Sequence, residues 1–478
     1  MTTTTLPASP TRQLDAIGAV ALLGGGAIAN YIVGCAAVAL PSLVAETGIA
    51  SDVAGLALSI FSVGFAAVLV LGGRLGDRFG RRRLFGIGLA ALAVTSVGVA
   101  LAPTFWILLV ARILQGIAAG LMLPQVLSTV QATTSGQERV RLSAWYVVTV
   151  ALGATAGQLV GGSLAGAAPS GWRLAFGSTT VLAVAVLAML GRVPETRGGG
   201  RARLDPVGAV GFAVVVVAVL VPVSLSRSLG WSWWSTAAIV VAVLAAVAFW
   251  RWEGRLPVGQ ALAPPVLLRQ RVLLMGLVLT ALFFTGYGGF VAVFGLMTQS
   301  GLGLSPMVSA LCFVPFATGF IVASAAGPRY NRGRRPAVVM VTGGVAQALS
   351  LLGLACLMVT QWPSPDQWVL QPLLIVLGVA QGVMYSPLIG MVMGAVPPET
   401  AGLASGLIGT AQQLFTAVGV AVLGLVYAGL AGVSGGVAFA GCVVLQAALA
   451  LVFVALARGV RPVRQVKPGG DPEVDSLS

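Results

Sequence analysis

Histidine is absent from these 478 residues, and cysteine occurs only four times. Protein zinc and haem sites draw most of their ligands from these two side chains. Cys35, Cys312, Cys356 and Cys442 all fall inside apolar runs and show no ligand spacing. They read as small packing residues, and neither a metal site nor any other cofactor is expected. Charge is nearly as scarce. Asp, Glu, Lys and Arg make up 8% of the chain, against roughly 25% in an ordinary globular domain. That excludes a soluble protein. The sequence contains no G-x-x-x-x-G-K-S/T segment and no polar stretch long enough for a nucleotide-hydrolysing domain. Any uphill work must therefore draw on an ion gradient or a separate subunit. A membrane enzyme would need an acid and base, or a metal cluster, at a common depth, and none is visible.

What the chain has is apolar length. Hydrophobic residues make up 58%, and the mean hydropathy is +0.98. The runs are about twenty residues long, the thickness of a bilayer's hydrocarbon core, and they tolerate many Gly and some Pro as membrane helices do. Spanning strands would be shorter and would alternate. Fourteen spans are expected, at 16–43, 53–73, 84–102, 105–131, 143–165, 172–191, 206–225, 231–250, 272–295, 305–326, 336–360, 368–396, 401–430 and 434–457. The stretch 1–15 is short and polar and lacks a cleavage pattern, so the first span is expected to be retained.

Basic residues choose the orientation. With the N-terminus in the cytoplasm, 24 of the 27 Lys and Arg fall on that side. They include Arg74, Arg78 and Arg81 to Arg83, then Arg192 and Arg197, then Arg329, Arg334 and Arg335. The far side keeps Arg173 and Arg227, and Arg112 lies within a span. An even count puts both termini in the cytoplasm, as the positive-inside rule requires. The net charge of +14 is thus topological. Its expected partner is anionic lipid of the inner leaflet, not nucleic acid. The high Ala, Gly and Arg content suits a GC-rich bacterial genome and so a bacterial cytoplasmic membrane.

Three segments carry more specific chemistry. GGRLGDRFGRRRLF (72–85) follows the second span. Gly73 and Gly76 permit close helix approach, Gly80 a tight turn, and Asp77 stands beside Arg78 and Arg81, where an acid–base pair can hold one conformation closed. The alternative is a plain positive-inside loop. LLVARILQGIAAGLMLPQ (108–125) places Arg112 within a span, followed by Gln115 and Gly116. A base at that depth is expensive, which favours a pocket or coupling role over a side chain that snorkels to the outer leaflet. GATAGQLVGG (153–162) repeats Gly153, Gly157 and Gly161 on one helix face, a row that lets a partner backbone approach, with Gly162 beside it.

Together these segments resemble the major facilitator superfamily, specifically its fourteen-span drug:proton antiporter branch. GGRLGDRFGRRR is similar to that family's loop 2–3 signature, RILQG to its span 4 signature, and GATAGQLVGG to its span 5 signature with Gln158 where Pro is usual. The resemblance covers about 16–457. It implies an all-α integral membrane protein with the major facilitator fold. A cytoplasmic segment (1–15) would precede a six-helix bundle (16–191), a linker (192–205), two inserted central helices (206–250), a second linker (251–271), a second six-helix bundle (272–457) and a disordered tail (458–478). Asp77, Arg78 and Arg81 would form the cytoplasmic gate, Arg112 and Gln115 would take part in coupling, and Gly73, Gly80, Gly153, Gly157, Gly161 and Gly162 would lie at helix and bundle interfaces.

One departure bears on cargo. The first span of this branch carries an acid where this chain has Ile32, and no Asp or Glu lies deep in any span drawn above. A cavity with Arg112 and no carboxylate disfavours dications and suits neutral, amphipathic or anionic compounds. Candidate lining residues are Asn30, Tyr31, Gln125, Gln158, Phe283, Phe284, Tyr287, Phe290, Gln381, Tyr385, Gln412 and Gln413, with GYGGF (286–290) a flexible break in span 9. The leading reading is a monomeric secondary exporter of small organic compounds, with proton exchange expected from the resemblance. A uniporter or importer, and a non-transporting membrane sensor or assembly partner, stay open.

Overall fold

The computed structural model describes residues 14–49, 51–168, 170–198, 205–229, 233–257, 261, 270–304, 306–330, 334–394, 396 and 401–459. Most of the 1–15 segment, all of the expected tail beyond Gly459 and parts of both linkers lie outside the described residues. Among the described residues fourteen long helices run in chain order: α1 (Ala16–Thr47), α2 (Leu56–Phe79), α3 (Arg81–Ala100), α4 (Phe105–Thr133), α5 (Gly136–Gly166), α6 (Gly171–Ala188), α7 (Pro206–Leu229), α8 (Trp233–Glu253), α9 (Arg271–Leu296), α10 (Pro306–Tyr330), α11 (Pro336–Gln361), α12 (Gln367–Gly394), α13 (Ala401–Leu430) and α14 (Gly435–Arg458). In lipid the backbone must satisfy its own hydrogen bonds, and a helix does so residue by residue. Side chains cap several starts: Asp15 accepts from the Gly18 N–H at 2.7 Å, and Ser434 from the Val437 N–H at 3.1 Å.

Two expectations need correction. α2 does not stop at residue 73 but continues through Asp77 to Phe79, ending at Gly80, whose φ of 107° admits glycine. GYGGF is no break, because α9 runs unbroken through it. Its glycines are contact points: a Cβ on Gly288 would meet Thr416 of α13, and one on Gly286 would meet the Gln446 amide of α14.

α1–α6 and α9–α14 form two bundles with matching pairings, α1 on α5 and α2 on α4 in the first, α9 on α13 and α10 on α12 in the second. The match extends to single residues. Gly116 and Gly120 bring α4 onto the carbonyls of Phe61 and Phe65 in α2; Gly378 and Gly382 bring α12 onto the carbonyls of Phe316 and Phe320 in α10. Gly157 rests on Tyr31 of α1, and Gly419 on Thr285 of α9. The two halves are therefore structural repeats, and in this register Leu374 of the second holds the position of Arg112 in the first.

The bundles meet along two symmetry-related seams, α2 with α13 and α5 with α10. At the end where α1 starts and α14 finishes, here the Arg-rich end, one apolar core spans both bundles. It joins Leu69, Val126 and Tyr146 to Tyr385, Leu388, Ile389 and Ile408. Towards the opposite end the cores separate. Tyr31, Leu108 and Trp172 belong to one, Phe290, Leu351 and Phe439 to the other. At the Arg-rich end the two bundles are thus held together by one shared apolar core. The hairpin α7–α8 lies outside the bundles over the α2–α13 seam, with Val216 and Leu220 of α7 packed among Val63 and Ala66 of α2 and Leu414 of α13.

Candidate functional site: a gate, a buried arginine and an aromatic cluster

The gate is built on the α2–α13 crossing. Gly73 and Gly402 sit against each other's carbonyls, so either Cβ would push the bundles apart. One turn further, Asp77 is 4% exposed and its carboxylate lies against Gly402 in the first turn of α13. A carboxylate at a helix N-terminus is favoured by the unpaired amides and the helix dipole. Gly402 has no space for a side chain, because a Cβ would lie 2.6 Å from Asp77 Oδ2. Across the Gly80 turn, Arg81 donates from Nε (3.1 Å) and Nη2 (2.8 Å) to Asp77 Oδ1 and from Nη1 (3.0 Å) to the Ser128 carbonyl of α4. Arg81 thereby ties α2, α3 and α4 into one body that presents Asp77 to the other bundle.

Arg78, expected beside this pair, is exposed and stacks on the Phe79 ring, 5.2 Å from its centroid. The segment after α6 takes its place in the turn. The Arg81 N–H donates to the Thr196 carbonyl at 2.9 Å, the Gly198 N–H to the Asp77 carbonyl at 2.9 Å, and the Arg82 N–H to Glu195 Oε1 at 3.2 Å. The Glu195 carboxylate also fills the space a Cβ on Gly80 would need. Nothing in the sequence pattern pairs residues 195–198 with 77–82; only the return of α6 to the Arg-rich end does so.

Arg112 does not snorkel. Its side chain is fully buried inside the first bundle, between the rings of Phe61 (4.7 Å) and Phe176 (5.1 Å). Nε donates to the Ala57 carbonyl of α2 at 2.8 Å and Nη1 to Gln115 Oε1 at 2.6 Å. The Gln115 amide donates to Ser96 Oγ of α3 at 2.8 Å. Nη2 has no hydrogen-bond partner among the described residues, and no carboxylate pairs with this guanidinium there. Two aromatic faces offset part of its desolvation, each by about 0.5–2 kcal/mol, which leaves the cation short of neutralisation in a low-dielectric interior.

The aromatic expectation converges on one place in the second bundle. Tyr385 of α12 stacks on Phe283 (5.3 Å) and meets Phe284 edge-on (5.5 Å), while Phe284 touches Tyr287 at 6.0 Å. The Gln412 amide of α13 donates to the Tyr385 hydroxyl at 2.5 Å. Phe290 joins through Phe316 of α10 at 5.7 Å. The sequence reading passed over Phe316 and Phe320 of α10 and Tyr146 of α5. Their i, i+4 spacing within α10 was available as a signal. Gln381 is buried in the same bundle, with both amide atoms unbonded among the described residues, and Gln413 is partly buried.

The other candidates are spent elsewhere. Asn30 donates to the Gly26 carbonyl of its own helix at 3.2 Å, and the Tyr31 hydroxyl bonds Ser178 of α6 at 2.6 Å. Gln125 donates to the Gly72 carbonyl at 2.8 Å and ties α4 to α2. Gln158 is half-buried, with its backbone beside Gly34 of α1. Gly153, Gly157 and Gly161 pack on Ala27, Tyr31 and Cys35 of α1, inside their own bundle and not between bundles; Gly162 faces Met307 of α10 across the seam. Below that contact α5 and α10 diverge. They leave a groove of about 910 Å³ with Trp145, Val148 and Val322 on its walls and Arg141 and Arg329 at its mouth.

Residues 22–420 match the profile of the Major Facilitator Superfamily. Among curated proteins, the chain is 31% identical over 407 residues to the probable actinorhodin transporter of Streptomyces coelicolor, covering 83% of this chain and 69% of that one. It is 32% identical over 456 residues to the cephamycin export protein CmcT of Amycolatopsis lactamdurans, covering 89% and 90%. Among solved structures, the human organic anion transporter MFSD10 superposes with a TM-score of 0.68 at 18% identity, covering 94% of this chain and all (100%) of that one. At that identity the likeness speaks for the fold alone.

Proposed function

This chain belongs to the Major Facilitator Superfamily, is a multi-pass membrane transporter of small organic compounds, and from that premise we propose that it exports them by alternating access in exchange for protons. Export is the direction supported by the relative whose name gives one, the cephamycin export protein. The observation that carries the mechanism is the contact between the bundles at the Arg-rich end. Gly73 against Gly402 makes a contact that parts cleanly, and Asp77 facing the start of α13 gives it a reversible electrostatic hold. In this reading that end faces the cytoplasm, and its parting gives the inward-open state.

The cargo class follows from the buried charges. Arg112 has no carboxylate partner among the described residues, and the aromatic cluster around Tyr385 offers ring faces with one amide–hydroxyl pair. An amphipathic compound, neutral or anionic, satisfies both better than a cation does. Arg112 with Gln115 forms the coupling element in this reading. A second reading, a facilitator without ion coupling, is favoured by Ile32 at the usual acid position, fully buried in an apolar core.

Uptake into proteoliposomes distinguishes the two. A panel of cationic, neutral and anionic amphiphiles is followed with and without an imposed pH gradient. Export coupled to protons gives gradient-driven accumulation of neutral and anionic members that Arg112→Ala abolishes. Equilibration that ignores the gradient establishes the facilitator.

A further inference from the structure

The two seams between the bundles are related by the internal repeat but are not treated alike. The α5–α10 seam opens to its surroundings through the groove at Trp145. The α2–α13 seam is covered by the inserted hairpin. Phe212 of α7 and Phe249 of α8 are in contact (5.6 Å between ring centroids) and press on Val70 of α2 and Leu403 of α13, one residue from Gly402. The hairpin therefore touches both sides of the contact that must part for the Arg-rich end to open.

Its foot carries buried charge. Glu253, the last residue of α8, is fully buried, and Asp205, just before α7, is 8% exposed. Their carboxylates converge: a Cβ on Gly208 would strike Asp205 Oδ2 and Glu253 Oε1 together. Trp252 Nε1 holds Asp205 Oδ2 at 2.9 Å. Two adjacent buried anions are costly without a cation between them. The facing cation is Arg74 of α2, itself 7% exposed, which acts electrostatically with both Glu253 and Asp77 and donates to the Ala261 carbonyl beyond α8. Arg74 thus lies one turn from Asp77 and joins the gate to the hairpin.

We propose that the α7–α8 hairpin is a working strap of the gate: Glu253, with Asp205 packed beside it, grips Arg74, and the strap so anchored holds the α2–α13 seam shut at the Arg-rich end. Glu253 and Asp205 act as positioning residues, through Arg74, on the placement of Asp77. The role differs from that of a passive insert, which would stabilise the fold without biasing which end is open.

Spin labels at Arg83 of α3 and Val338 of α11, both exposed at the Arg-rich end on opposite bundles, report its opening in the full-length protein in nanodiscs. Glu253→Gln keeps shape and removes the charge. The strap predicts that this variant populates longer separations than the parent, as does Asp205→Asn, and that the exchange Arg74→Glu with Glu253→Arg restores shorter ones relative to Arg74→Glu alone. An unchanged separation in Glu253→Gln, whatever happens to thermal stability, overturns the proposal. The distance needs no cargo, so it stands apart from the transport assignment. Longer separations in a protein that does not transport leave the strap intact, whereas a Glu253→Gln protein that transports at parental rate with parental distances removes it.

Discussion

Arg112 owes its position to three contacts that lysine cannot reproduce together. Nε reaches the Ala57 carbonyl, Nη1 reaches Gln115, and the guanidinium plane lies between Phe61 and Phe176. A lysine keeps the charge but gives up the fork and the stacking. Each hydrogen bond to a charged group is worth about 1.5–3 kcal/mol. Arg112→Lys is therefore expected to lower the initial rate of cargo transport roughly ten- to a hundredfold, by the usual conversion of free energy into rate, while the protein still folds. Rates in proteoliposomes beside a thermal melt check this; parental transport by the lysine variant would show that charge alone suffices. Ile32 is fully buried in the apolar core, where it fills its site without a charge to neutralise.

At the scale of elements, identical small residues serve opposite purposes. Gly73 lies where two bundles touch, and Gly157 where two helices of one bundle touch. Adding one methyl group to a close-packed contact costs about 1–3 kcal/mol, but the consequence depends on what can yield. At residue 73 the seam can part. Gly73→Ala is expected to bias the molecule towards opening at the Arg-rich end with little loss of melting temperature, read from thiol labelling of a cysteine placed at Ile408. At residue 157 nothing can part without unfolding the bundle. Gly157→Ala is expected to lower the melting temperature and leave the labelling unchanged. The same effect from both variants would mean that the two contacts are mechanically equivalent.

For the whole molecule, charge placement and helix parity make one joint statement. Among the described residues, fourteen alternating long helices bring the start of α1, the end of α14 and most arginines to one side. If that side is cytoplasmic, a cysteine at Asp366, between α11 and α12, reacts with an impermeant thiol reagent on intact cells, and one at Arg83 reacts only after permeabilisation. The reverse pattern would invert the orientation. The shared core around Tyr146 and Tyr385 and the separate cores beyond it show which end must rearrange most: repacking the joined half takes apart one continuous apolar cluster.

Sequence alone determined the fold class and the succession of long apolar helices, because bilayer thickness and the cost of charge in hydrocarbon act on each segment separately. It also marked Asp77 with Arg81, Arg112 with Gln115, and the ring cluster of α9, since those residues lie within a few turns of one another or carry strong local signals. Tertiary structure alone decided what depends on distant segments meeting. Glu195 reaches the Gly80 turn, and Glu253 comes to act on Arg74, only because α6 and the hairpin return to the same end of the molecule. Tyr31 and Gln125, polar and plausible as cavity lining, became helix-to-helix ties because a hydroxyl or amide buried beside a free carbonyl or hydroxyl bonds it. Which end shares one core follows from the relative tilt of two repeats, and no single segment encodes that tilt.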